Sequence, residues 1–148
     1  MYINVSIGEQ KLRLFEGDWL MAEYVISSAA NGIGFDEGSH CTPTGRFEVS
    51  EKIGEGEPSG TIFRSRKPCG VWDGTHSDDD MVLTRILRLH GLDAENANTM
   101  ERYIYIHGTN QESLLGQPAS CGCIRMSNKD VVDLFDRVEV GTPLVIGY

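Results

Sequence analysis

The amino-acid sequence predicts a mainly β fold with a few short helices, in a single domain over residues 1–148. Three observations carry this. Glycine occurs 17 times in 148 residues, a turn-rich composition that suits strands better than a helical bundle. Short apolar–polar alternations recur along the chain, the signature of half-buried strands. Only one stretch, at about 128–138, has the caps and periodicity of an amphipathic helix.

Residues 2–7 alternate, with Ile3, Val5 and Ile7 on one side. The segment GEQ then turns into a second strand carrying Leu12 and Leu14, and EGD turns into a third over Leu20–Ser27, where Tyr24 and Ile26 alternate. A glycine-rich loop covers Ser28 to about His40. TPTGRFEVSEKI, residues 42–53, opens with turn chemistry and becomes a strand with Phe47 and Val49. Residues 54–60 read as a loop, with short strands near 61–65 and 69–72. Val82–Leu89 is apolar on both faces, which fits a buried strand or a short helix. Over Arg102–His107 the alternation is clear: Tyr103, Tyr105 and His107 share one face, Ile104 and Ile106 the other. Ser127 caps the helix, with Asp130 at the capping-box position. Val131, Leu134, Phe135 and Val138 form its apolar stripe. Gly141-Thr142-Pro143 breaks the pattern before a last strand at Leu144–Ile146.

A formal net charge of −9 argues against nucleic acid and anionic membranes as partners, since both call for clustered cations. No stretch is long and apolar enough to span a bilayer. The first residues lack the basic start, apolar run and cleavage site of a secretory signal. Met1 directly precedes the first strand, so a cytoplasmic location is expected, or a periplasmic or cell-wall one if the chain is a mature fragment. The four cysteines, Cys41, Cys69, Cys121 and Cys123, are expected as free thiols, since Cys121 and Cys123 stand too close in sequence to bridge without strain.

Two segments carry chemistry: IYIHGTN at 104–110 and PASCGCIRMSN at 118–128. His107 closes a strand, where its imidazole can face a cleft beyond the sheet edge. Cys123 follows sixteen positions later, between Gly122 and the arginine at 125. An imidazole or a nearby helix N-terminus lowers a thiol's pKa and activates it, and Cys123 lies four residues before Ser127. Gly122 lets a substrate approach the backbone, and the N–H groups of Gly122 and Cys123 can donate to an oxyanion. Arg125 suits bidentate contact with a substrate carboxylate. From the residues alone other readings stand beside this one: a buried apolar cysteine with a structural histidine, a zinc site built from Cys121, Cys123, His107 and a residue such as Cys41, or a redox-active C-G-C dithiol. His40, beside Cys41, lies near the cleft or in a surface loop with His76 and His90.

The residues also resemble a known family, the L,D-transpeptidase (YkuD-type) catalytic domain. Its His-Gly-Thr strand end followed by Ser-X-Gly-Cys-(Ile/Val)-Arg appears here as HGT at 107–109 and SCGCIRM at 120–126. The likeness extends to IGEQKLRLF, TPTGRF, LTRIL, RYIYIHGTN and VEVGTPLVI. It implies a β-sandwich of mixed sheets with a few short helices. It implies Cys123 as nucleophile, His107 as the histidine that activates it, and the Gly108 carbonyl as the group that orients the imidazole. Gly122 and Cys123 match the oxyanion-hole backbone. Arg125 and Ser120 match positions lining the pocket, and Tyr105 shares the His107 face as a substrate-binding position. Many members carry a second histidine where this chain has Cys121. The implied substrate is a peptidoglycan stem tetrapeptide or muropeptide, cleaved between meso-diaminopimelate and D-Ala through a Cys thioester, with no cofactor or metal. Water as acceptor makes an L,D-carboxypeptidase of muropeptide recycling, the expectation that goes with a cytoplasmic location. A diaminopimelate amine makes a transpeptidase forming 3–3 cross-links.

Overall fold

The computed structural model describes residues 1–148. Ten strands run β1 (Tyr2–Ser6), β2 (Lys11–Glu16), β3 (Trp19–Ser27), β4 (Gly45–Ile53), β5 (Thr61–Arg64), β6 (Lys67–Val71), β7 (Val82–Gly91), β8 (Tyr105–Gly108), β9 (Ile124–Met126) and β10 (Pro143–Gly147). The helix α1 spans Asn128–Arg137, and a single 3-10 turn covers Glu112–Leu114. The mainly β class is as the sequence predicts. No helix is long and apolar enough to cross a membrane.

The strands form one mixed sheet in the order β4-β10-β1-β2-β3-β9-β8-β7-β5-β6, and β7 also pairs with β4. That extra pairing closes the first eight strands in this order into a ring, which leaves the β5–β6 hairpin hanging from one end of β7. Two pairs are parallel, β1 with β10 and β8 with β9; the others are antiparallel. Alternation explains the interior. Ile3, Val5, Leu12, Leu14, Phe47, Val49, Ile106, Ile124, Leu144 and Ile146 all point into one buried cluster. Val131, Leu134 and Phe135 of α1 join it against β7 and β8. The capping box works through its serine: Ser127 Oγ accepts from the Asp130 N–H at 3.1 Å.

One open reading resolves and one expectation changes. Of the buried strand and short helix left open for Val82–Leu89, the strand is found, over Val82–Gly91; most of its residues are buried on both faces, which erases its periodicity. The strand expected over Arg102–His107 starts only at Tyr105. Residues 101–103 form a turn, with Arg102 N–H on the Asn98 carbonyl and Tyr103 at φ +55°. The aromatic alternation continued past the true boundary because Tyr103 lies over the protein surface instead of in the sheet.

Candidate active site

The site lies on the face of β8–β9 that points away from the main core. These strands are parallel, with Ile106 opposite Ile124 and His107 opposite Arg125. Since Ile106 and Ile124 face the core, Tyr105, His107, Cys123 and Arg125 share the other face. The cysteine and histidine of the two sequence segments therefore lie at diagonal positions of neighbouring strands, on one face. Phe63, Ile86 and Tyr105 form a small second apolar cluster there, with Cys123 packed against it.

His107 is buried, and its Nδ1 stands 2.6 Å from the Gly108 carbonyl oxygen. A carbonyl only accepts, so Nδ1 carries the proton and Nε2 presents its lone pair. Gly108 is required: a Cβ there would meet the Leu83 carbonyl at 2.7 Å, as well as Asn128 Oδ1. Burial holds the His107 imidazole below its ordinary pKa, against the opposing pull of the Gly108 carbonyl and Asp80.

The Cys123 sulfur is half-buried. It accepts from the Tyr105 N–H at 3.3 Å and donates to the Tyr103 carbonyl at 3.4 Å. Burial pushes this thiol up to about 12, with the charge of Asp80 adding to the effect. This corrects the expectation of a thiol activated by the helix start. The three residues of β9 lie between Cys123 and the α1 cap, so four residue steps, about 13 Å in extended chain, separate them, beyond the reach of the helix terminus. Both partners are thus neutral at rest, thiol and imidazole.

Ser120 and Gly122 shape the turn that presents the nucleophile. Ser120 Oγ donates to the Cys123 carbonyl at 2.7 Å and accepts the Gly122 N–H at 3.2 Å. Ser120 is buried and staples this loop instead of lining a pocket. The Cys123 N–H has no protein partner, whereas the Gly122 N–H is already taken. Gly122 stands at φ +129°, and a Cβ there would come within 3.3 Å of the Cys41 carbonyl.

Arg125 does not stand where a substrate carboxylate would find it. Its side chain is 0% exposed; Nη1 lies 3.2 Å from Asp80 Oδ1 and donates to Gln111 Oε1 at 2.6 Å. It is a buried ionic tie between β9 and the loop after β6. Tyr105 is also buried, and its hydroxyl accepts from Arg66 Nη1 at 3.1 Å. His40 and Cys121 line a cavity of about 180 Å³ with Tyr103 and Arg102, which neither Cys123 nor His107 lines; His76 and His90 are exposed and bond Asp78 and Glu48. All four cysteines are free thiols. No three His, Cys, Asp or Glu side chains converge as a metal-binding group.

The family model for the L,D-transpeptidase catalytic domain, YkuD, matches residues 1–146. The chain belongs to the YkuD family. A Bacillus licheniformis protein named for L,D-transpeptidase activity, YkuD, is 51% identical over 145 residues, 97% of this chain and 64% of its own length. The Bacillus subtilis protein YqjB is 48% identical over 105 residues, 71% of this chain and 51% of that one. An L,D-transpeptidase structure from Mycobacterium smegmatis superposes over 99% of this chain and 58% of its own, with a TM-score of 0.63 at 18% identity. The chain thus spans about half to two-thirds of the length of these relatives.

Three site residues of this YkuD domain escaped the sequence reading. Thr42 Oγ1 donates to the Gly122 carbonyl at 2.9 Å and accepts from the Ala29 N–H, so TPTGRF clamps the nucleophile loop from behind. Asp80 influences both His107 and Cys123. Arg66 reaches in from the β5–β6 turn. The TPTGRF likeness flagged Thr42 without a role; Asp80 and Arg66 sit in polar loops where charge is ordinary, and only the fold brings them to the site.

Proposed function

We propose that this YkuD domain is a cysteine acyltransferase. It attacks the bond between meso-diaminopimelate and D-Ala in peptidoglycan tetrapeptide stems. The observation that carries the reading is the Cys123 sulfur held on the same sheet face as a His107 whose tautomer is locked by Gly108. His107 Nε2 takes the thiol proton as the sulfur leaves the Tyr103 carbonyl and attacks the peptide carbonyl. The Cys123 N–H receives the oxyanion, joined by the Gly122 N–H when it exchanges its Ser120 partner for the stronger charged one. The imidazolium then returns the proton to the departing D-Ala amine, and a thioester remains on Cys123.

The thioester is common to hydrolysis and cross-linking. We take water as the acceptor, which releases a tripeptide, because water needs no further subsite to reach the thioester carbon. Transfer to a diaminopimelate amine, giving a 3–3 cross-link, is the second outcome. Structures of family relatives include an avibactam carbamoyl enzyme and an imipenem complex, which fits a nucleophile that reacts with strained acyl donors. Mass analysis of a disaccharide tetrapeptide after incubation with the protein tests the proposal. Loss of one D-Ala without dimers is the expected result, dimers mark cross-linking, and an unchanged substrate overturns both.

A further inference from the structure

With Arg125 buried on Asp80 and Gln111, another cation stands at the site. Arg66 is half-buried at the β5–β6 turn; its Nη1 bonds Tyr105 Oη at 3.1 Å and its guanidinium lies 5.2 Å from the centroid of the Tyr103 ring. These are the two residues whose backbones grip the Cys123 sulfur. No carboxylate pairs with Arg66; Glu51, whose charge reaches it, is bound to Arg88 at 3.0 Å. The turn itself is unusual. Ser65 and Arg66 hold φ values of +48° and +65°, positions where hairpins favour Asn and Gly. Backbone strain of this kind persists where its surroundings over-determine it, and it gathers at ligand clamps. One guanidinium N–H is spent on Tyr105, which leaves donors in the planar fork for a carboxylate.

We infer that Arg66 receives a carboxylate of the substrate beside Cys123, and so selects stems that carry one next to the bond attacked. This rests on the acyl-transfer reading above. Two carboxylates qualify: the C-terminal one of the departing residue, three bonds from the attacked carbonyl carbon, and the side-chain one of the diamino acid. Tyr105 and Tyr103 hold the guanidinium ready, and in a chain of net charge −9 such a local cation is what lets an anionic group approach.

The test is binding by the Cys123→Ala protein, with and without Arg66→Gln, so that turnover plays no part. Arg66→Gln is expected to weaken the tetrapeptide tenfold or more, the loss of a charge-assisted pair. It leaves unchanged the affinity for an analogue with lysine for diaminopimelate and an amide terminus. Analogues with one change each show which carboxylate is held. Equal binding of the tetrapeptide by both proteins, equal weakening of the doubly neutral analogue, or no binding at all overturns the inference. Turnover by the unmodified protein independently tests the acyl-transfer reading.

Discussion

At the scale of the residue, the chemistry turns on two neutral groups. Burial raises the Cys123 thiol to about 12 and holds His107 below its usual value, so the reactive form is thiol plus free base. The acylation rate is expected to rise with pH through the depressed His107 pKa, as the base loses its proton. It then stays level through the range near 8.5 where a free thiol ionises. A pH–rate profile, with ultraviolet absorption reporting thiolate, checks this; a second limb near 8.5 contradicts it. Asp80 favours the imidazolium and opposes the thiolate, so Asp80→Asn lowers both pKa values and moves the acid limb to lower pH. Cys121→Ala is expected to keep activity and His107→Ala to lose about 10²–10⁴-fold; the opposite ranking marks a dithiol. The pairing of Cys123 with His107 was legible because the motif segments hold both. Their protonation was not, because it follows from burial in the fold, for the thiol against Phe63 and Ile86, which are distant in sequence.

Elements place these groups. The β8–β9 pair sets His107 and Cys123 on one face, and two polar clamps, Ser120 and Thr42, fix the turn from Ser120 to Cys123. Thr42→Val keeps the shape and removes the bond to the Gly122 carbonyl. It is expected to lower kcat more than it raises KM, since the oxyanion donors, not the bound ground state, lose their alignment. Gly108→Ala is expected to cost about 1–3 kcal/mol from overpacking, measured by chemical denaturation, because its Cβ would press on the Leu83 carbonyl. The helix and the opening strands were readable from caps and alternation. β9 was not: three residues are too short to show a period. Its presence is why the helix start lies away from the nucleophile.

The whole molecule depends on closure. β10 lies between β1 and β4, with Leu144 and Ile146 in the core, so the last strand completes a ring that begins with the first. Removing residues 143–148 would open two strand edges and part of the core at once. Loss of a cooperative unfolding transition is the expected result, and retention of one contradicts the closed ring. Pairing between distant strands, such as β4 with β7, leaves no local trace, which is why the sequence yields the β class and its opening meander but not the closure. Acyl transfer by the whole domain requires a covalent acyl group carried by Cys123. Incubation with imipenem, followed by intact-mass analysis and peptide mapping, tests it most directly. One adduct on Cys123, absent from Cys123→Ala and slowed in His107→Ala, is the predicted result; no adduct, or an adduct on Cys121 or Cys69, contradicts it.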